Sequence, residues 1–388
     1  MNKIRQSRPE PSERTRLQVW GAAAGRCTFC NRVVTENDDL GLDVPIGELA
    51  HNVGWSDNSP RGESDIDRDA RRQADNLLLL CRNCHKPVDD GGVLGLYTVE
   101  ELAKRKRDHE TRVRLLTDIG ADRSAVVIRV VGAIRGVNPH LDYDAVLEAT
   151  VGASLFPQQL PGVHRNELEA DLRSIAEASE PDYFETCARQ IDVLAERISD
   201  GVRRDEIRRL AVFGFARIPL LIHLGARLDD KVSAFVFQRQ RTDSSNAWRW
   251  PDAAGQPPAF EHERIREGSG ALVLILNLSG SIGPDELPAD MRGDSTIYEL
   301  RLAAPARSGP GVIDSPEALA AFDAAVRRFL AEVEGLHGKP ERIALFAAVP
   351  IAAAVTLGRV LMPNVSPAWT VYDRDQHGKF FLSLEVRR

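Results

Sequence analysis

No stretch of this chain approaches the roughly 18 uninterrupted apolar residues of a membrane span. Its opening residues, MNKIRQSRPEPSER, lack the apolar core of a signal peptide. A cytoplasmic protein with no membrane partner is therefore expected. Cysteine is scarce too, with five in 388 residues, and four of these fall into two Cys-x-x-Cys pairs. That usage excludes a disulfide framework and suits a reducing compartment, where thiolates bind metal. Cys187, the odd one, is expected to be a buried helix residue. Neither sign of charge is in great excess. The net charge is -7, and residues 1–120 carry 19 Lys+Arg against 20 Asp+Glu, so most of the surplus acid lies beyond them. Basic residues bunch at Lys3, Arg5, Arg8, Arg14 and Arg16, and again at Lys104 to Arg107, Arg112 and Arg114. With screening over about 8 Å, a local patch outweighs the total, although solvated helix faces account for either run equally well.

Cys27-x-x-Cys30 and Cys81-x-x-Cys84 are each half of a tetrahedral zinc site. Together they make a structural zinc centre, and the long segment between them must be a structured element. His85 follows Cys84 directly, with Asp89 four residues on and on the same face if that turn is helical. An imidazole and a carboxylate are suitable ligands for a second divalent ion, magnesium or manganese. His51 lies between the two pairs, where it can face that ion and take a proton from water.

Residues 12–24 read as a short helix with Ser12 as N-cap. Residues 42–46 and 48–53 read as a hairpin turning at Gly47, and the polar residues 56–75 read as an exposed insert. Thr98-x-x-Glu101 is a capping box opening a helix to about Leu116. The first domain, residues 1–120, is thus an α+β unit with a zinc-pinned ββα arrangement. Residues 121–164 read as a connection containing a first strand, VVIRVVG at 126–132.

Helices and apolar strands then alternate as in an α/β fold. Residues 210–228 and 343–361 align without gaps at an offset of 133, matching Phe213 with Phe346 and Gly225 with Gly358. A helix precedes each copy, at about 182–199 and 316–334. Residues 165–388 therefore form a second domain of two pseudo-repeats, about 165–300 and 301–388.

The order Cys-x-x-Cys, Ala50-His51, Asn76-Leu, Cys-x-x-Cys-His85 resembles the HNH nuclease motif in its zinc-stapled, ββα-metal form. The resemblance implies phosphodiester hydrolysis of DNA. His51 would be the general base, Asn76 would orient it or bind the metal, and His85 would be a metal ligand. Ala50 stands where many members have an acidic ligand, which leaves Asp89 and Glu48 as candidates for the remaining one. His109 reads as structural or phosphate-facing.

The duplicated half, with its LFAAVP and LGR segments and a VYD near the end, resembles the SAVED domain, two fused CARF-like Rossmann-type units. That family senses cyclic oligonucleotides in CBASS antiphage systems, and an HNH module followed by a SAVED module is the layout of a CBASS effector nuclease. The resemblance implies a double-stranded DNA substrate, a cyclic di- or trinucleotide activator, and a homo-oligomer, dimeric or higher on activation. Nucleotides bind beyond the carboxyl ends of strands in such sheets. Arg217, Arg239 and Arg241 follow repeat strands there. Trp248 and Trp250 offer stacking faces, and Pro350 and Arg359 hold related places in the second copy. Two other readings stay open: a restriction-type HNH nuclease whose second domain recognises modified DNA, and a zinc-containing binding module with a decayed site.

Overall fold

The structure, a computed structural model, describes residues 10–36, 44–90, 95–160, 162–228, 231–240, 247–251, 255–306 and 308–388. The chain divides into two compact units, Met1–Ile119 and Gly120–Arg388.

In the first unit α1 (Glu13–Ala22) begins where the Ser12 hydroxyl accepts the Thr15 N–H at 3.1 Å. After a turn carrying Cys27 and Cys30, β1 (Gly47–His51) pairs antiparallel with β2 (Leu77–Cys81), with Gly47 opposite Cys81 and His51 opposite Leu77. Helix α2 (Arg82–Val88) continues directly from β2. Then α3 (Val99–Thr117) starts under the Thr98 cap, whose hydroxyl accepts the Glu101 N–H at 3.2 Å. Leu77 to Leu80 are buried on both faces of β2, among Val19, Val34, Val88 and Leu102. Four adjacent fully buried leucines make this strand the centre of the unit's core.

That burial overturns the expected hairpin. Residues 44–46 lie outside any strand, 42 and 43 fall outside the described residues, and Gly47 begins β1 instead of turning. Pro45 has no N–H to give to a ladder, whereas the leucine run has a full set of donors and far more apolar surface to bury. A strand, strand, helix order is present instead as β1, β2 and α2, not as a hairpin followed by the helix at 99–117, and residues 52–76 are inserted between the strands. The insert is not a free surface loop. Arg71, 3% exposed, donates to the carbonyls of Gly54 (2.9 Å), Ser64 (3.0 Å) and Ile66 (3.2 Å). A buried guanidinium supplies from inside the donors that a short polar segment cannot find in a sheet.

The second unit holds two sheets. In the first, β3 (Ser124–Val131) is followed by α4 (Tyr143–Gly152), β4 (Phe156–Gln158), β5 (Glu169–Asp171), α5 (Pro181–Arg203), β6 (Arg209–Phe215), α6 (Ile218–Arg227) and β7 (Ser233–Val236). The strands are parallel in the order β4-β3-β6-β7, with β5 also on β3. Cys187 is fully buried in α5. The second sheet comprises β8 (Phe260–Arg266), β9 (Leu272–Asn277), β10 (Thr296–Leu302), β11 (Arg342–Ala348), β12 (Ala368–Arg374) and β13 (Phe380–Val386). Its order is β13-β12-β11-β9-β10-β8, parallel except at the two edge strands. Helix α7 (Pro316–His337) precedes β11, and α8 (Ile351–Arg359) follows it.

The offset of 133 places β6 on β11 and α6 on α8. These two helices pack against each other through Gly225 and Gly358. A Cβ on Gly225 would lie 1.9 Å from the Val355 carbonyl oxygen, and one on Gly358 would lie 1.9 Å from the Ile222 carbonyl oxygen. Ile222 and Val355 are themselves repeat partners, so the contact is reciprocal, as across a two-fold axis. Only the absence of both side chains lets the backbones approach so closely.

Two boundaries differ from expectation. Residues 121–164 do not merely connect: β3 pairs with three strands of the first sheet, one of them β4. The second repeat begins with β8, not at 301, because β8, β9 and β10 lie in one sheet with β11. Strand β9 lies parallel to β11 as β3 does to β6. The β3 and β9 sequences share no register at the repeat offset, since a doubly covered strand needs only apolar residues and many sequences satisfy it.

Candidate functional site

The first site is built where β1, β2 and α2 meet. The Sγ atoms of Cys27, Cys30, Cys81 and Cys84 all lie within 4.8 Å of one another, with Cys30 and Cys81 3.8 Å apart. Four sulfurs at about 2.3 Å from a tetrahedral zinc would be separated by roughly this distance. Among the described residues this is the only group of three or more His, Cys, Asp or Glu with ligand atoms so close. Burial first, and then its thiol neighbours, push the Cys84 thiol up. Burial also raises Cys27, whereas for Cys30 the Arg32 N–H and the neighbouring thiols outweigh burial and lower it. Four such thiols ionise together only around a cation, and the donor set fits zinc.

Immediately beyond Cys84, His85 lies between two carboxylates. Its Nδ1 is 2.7 Å from Glu48 Oε2 on β1, and its Nε2 is 3.4 Å from Asp89 Oδ2 at the end of α2. The Asp89 hydrogen bond leads in raising the imidazole pKa, with burial opposing it and Glu48 assisting. Asp89 is lowered in turn, first by His85 and also by Arg61. Glu48, His85 and Asp89 thus come together from two elements, two carboxylates of the kind that suit a hard divalent ion and one softer imidazole. As they stand, both ring nitrogens are engaged, so a cation would require His85 to release one carboxylate.

Arg61 was not singled out from the sequence, yet its guanidinium, 6% exposed, organises this corner. Nε donates to the Asn52 carbonyl at 2.8 Å and Nη1 to the Val88 carbonyl at 2.6 Å. Nη2 donates to the His51 carbonyl at 3.1 Å and to Asp89 Oδ1 at 3.0 Å. One side chain therefore ties the end of β1 to the end of α2. The available signal was its place between Pro60 and Gly62, where it adopts a left-handed φ of 56° that few arginines take. Arg61→Met is expected to leave buried carbonyls without donors and to cost at least about 2 kcal/mol, read by thermal unfolding of the first unit, with Arg61→Lys intermediate.

His51 ends β1 and is buried; strand alternation places it on the face opposite Glu48. Asn76 is buried and bonds the backbone of the insert. Its Nδ2 donates to the carbonyls of Val53 (2.8 Å) and Arg71 (2.9 Å), and its Oδ1 accepts the Val53 N–H (2.8 Å), so the carboxamide is spent on backbone. His109 packs α3 on α1, its Nε2 3.2 Å from the Ala23 carbonyl, with burial lowering its pKa. Lys104, Arg105 and Lys106 pair with Asp108, Glu101 and Glu110 along α3, which removes much of the apparent basic patch. Lys3, Arg5, Arg8 and Arg241 lie outside the described residues.

The second site is an open cavity of about 930 Å³ at the carboxyl ends of β3, β6 and β12, bordered by Arg135, Glu177, Arg217, Arg374 and His377. Of the expected ligand residues, Arg217 reaches it, but as an internal bolt. Its Nε donates to Asp373 (2.9 Å) and its Nη2 to the Arg374 carbonyl (2.8 Å), joining the two repeats. Arg239 is exposed over the Phe215 ring at 5.2 Å, near the same strand ends. Pro350 is buried as the N-cap of α8. Trp248 is core, 3% exposed and edge-on to Phe213 and Phe215; Trp250 is partly buried beside it. Arg359 sits at the far end of α8, donating to the Val232 carbonyl (3.3 Å) just before β7. A helix of nine residues spans about 13 Å, which carries Arg359 to the opposite end of the sheet. Repeat matching had paired residues by sequence without regard to which end of an element they occupy. It also missed Glu177 and Asp373, which hold Arg217.

These features define a class: two α/β repeats, fused through a glycine contact, sharing a cavity at their strand ends. The profile of the SAVED family, the "SMODS-associated and fused to various effectors sensor domain", matches residues 190–385, just over half of the chain. The chain belongs to the SAVED family. No curated protein matches it. Among solved structures it is similar to the Cap4 SAVED/CARF-domain containing receptor of Acinetobacter baumannii with the cyclic trinucleotide 3'3'3'-cAAA. Identity is 14% over 80% of this chain and 63% of that one, with a TM-score of 0.43. For the Cap4 receptor of Moraxella osloensis the values are 15%, 74%, 58% and 0.37. The chain spans less than two thirds of the length of either. No helix among the described residues is long and apolar enough to cross a membrane.

Proposed function

We propose that this chain is a sensor-controlled endonuclease of antiphage defence. The SAVED unit takes a cyclic di- or trinucleotide, and the first unit, a zinc-stapled HNH domain, then hydrolyses double-stranded DNA. The observation that carries the reading is the Glu48, His85 and Asp89 cluster, set on a thiol-stapled β1, β2, α2 frame in the same chain as a sensor of the kind fused to effectors.

Glu48, His85 and Asp89 would hold magnesium or manganese, and Cys27, Cys30, Cys81 and Cys84 a zinc ion. The divalent ion, when bound, supplies Lewis-acid charge to the scissile phosphate. His51 would take the proton from the attacking water, which places that water on the face of β1 opposite Glu48. Asn76 and Arg61 hold the main chain from His51 to Val53 in place. Control requires the cyclic nucleotide to favour one assembly over another, since equal binding to both shifts nothing. A homo-oligomer, dimeric or higher, that gathers the first units on DNA meets that requirement.

The test is plasmid degradation with magnesium or manganese and a panel of cyclic di- and trinucleotides, beginning with 3'3'3'-cAAA. His51→Ala is expected to slow cutting by about 10²-fold or more, the usual contribution of a general base. Unchanged cutting would remove His51 from the reaction. Cutting that follows DNA modification and ignores every cyclic nucleotide would favour the restriction-type reading instead.

A further inference from the structure

Glu177, in the segment between β5 and α5, is a largely buried carboxylate held by backbone N–H groups. Its Oε1 accepts the Arg135 N–H at 2.8 Å and its Oε2 accepts the Gly136 N–H at 2.6 Å. Arg135 and Gly136 both adopt left-handed backbone, with φ of 51° and 78°. They are the central pair of a tight turn closed by the Ile134 and Val137 backbones, which bond each other in both directions at 2.9 and 3.1 Å, and a turn that presents successive N–H groups to one side makes a concavity that binds anions. The Arg217 Nη1 lies 3.4 Å from the same Oε1, and both side chains are largely buried. Three donors from two elements thus converge on an anion that belongs to the protein itself.

The nest opens on the cavity at the strand carboxyl ends, where Arg374 and His377 also stand. In open α/β sheets nucleotides bind at this end. A carboxylate and a phosphodiester each present two oxygens sharing one negative charge, so either can satisfy the same pair of N–H groups. We propose that the Arg135–Gly136 nest, with Arg217, is a phosphate subsite of the sensor cavity, plugged by Glu177 and opened when a ligand phosphodiester takes its place. The proposal rests on the reading of this unit as a cyclic-oligonucleotide sensor. Its consequence is regulatory. A ligand has to displace an internal anion, so the plug lowers apparent affinity by the fraction of molecules in which the nest is closed. A neutral carboxamide offers one acceptor and turns an N–H₂ toward the other donor, so Glu177→Gln unplugs the nest while keeping the side chain's size.

The experiment titrates inorganic pyrophosphate into full-length wild type and Glu177→Gln by calorimetry, then repeats both titrations with 3'3'3'-cAAA and the other cyclic oligonucleotides. Glu177→Gln is expected to bind pyrophosphate about tenfold more tightly than wild type, with the gain shrinking as salt rises. Equal or weaker binding, especially with a lowered melting temperature, would make Glu177 a loop staple only and overturn the proposal. Should Glu177→Gln fail to fold, the wild type decides: pyrophosphate must shift the Arg135 and Gly136 amide resonances, and stationary resonances overturn the proposal. Pyrophosphate binding as expected, with no cyclic oligonucleotide bound, would sink the sensor reading and leave the nest standing. A cyclic oligonucleotide bound with equal affinity by both proteins would do the reverse.

Discussion

Cys27→Ser is expected to strip tightly held zinc from the full-length protein and to unfold its first unit while the second stays folded. The four thiols come from the turn after α1, from the last residue of β2 and from the first turn of α2. They therefore link the segments that frame the core. Structural zinc contributes on the order of 10–16 kcal/mol in small zinc domains, comparable with the roughly 5–15 kcal/mol net stability of a whole domain. The first unit has a small core: Val19, Ala23, Val34, Ala50, Leu77 to Leu80, Val88 and Leu102, together with the cysteines. Such a core does not hold β1 against β2 alone. A hydroxyl in place of a thiolate lowers affinity steeply because zinc favours the softer, anionic donor. Elemental analysis should give one zinc per wild-type chain and little in the variant. Calorimetric scanning should show the lower-temperature transition lost and the SAVED transition kept. A Cys27→Ser protein that keeps both transitions and lacks metal would show that the cluster is not a staple.

Gly225→Val is expected to disrupt the second unit by at least about 4–5 kcal/mol, the range in which a single substitution reports a specific structural conflict. Its Cβ would lie 1.9 Å from the Val355 carbonyl oxygen, with the Val355 carbonyl carbon at 2.8 Å and the Arg359 nitrogen at 3.0 Å. All three are backbone atoms of a helix and have no rotamer by which to withdraw. Relief requires α6 and α8 to move apart, which opens the core around Leu221, Leu224, Ala354 and Leu357. Gly358→Val should do the same from the other side, since it meets the Ile222 carbonyl oxygen at the same distance. The two effects should not add, because either one already separates the helices. Far-UV circular dichroism and thermal melts decide the point. A variant melting within a few degrees of wild type would mean that the helices do not pack through these glycines.

The metal-type residues were legible because their chemistry is local in sequence. Cys-x-x-Cys has few other uses in a chain with five cysteines, and His85 and Asp89 needed only one helical turn to share a face. The repeat was legible for a related reason. Gly225 and Gly358 sit at the same place in two similar segments because backbone contact leaves no room for any other residue. The partner of β1 was not legible. Residues 42–46 are nearest in sequence, but the strand that wins is the one that buries four leucines. Nor was the division of labour among the candidates. Asn76 and Arg217 look like ligand residues in the sequence, and the structure spends both on internal bonds. Trp248 looks like a stacking platform and is core.

Composition and spacing by themselves determined that this chain carries a four-thiol centre, an imidazole and carboxylates beside it, and a duplicated α/β half. Those follow from ligand chemistry and periodicity, which operate over a few residues. Only the tertiary structure decided that Glu48 from β1 faces His85 from α2, and that Arg61 ties His51 to Asp89. It alone placed the Arg135 and Gly136 N–H groups on the Glu177 carboxylate beside the cavity at the strand carboxyl ends. Each of these joins groups 28 to 42 positions apart in the chain. Such contacts are set by which strands and helices pack together, and no short-range pattern in the sequence records them.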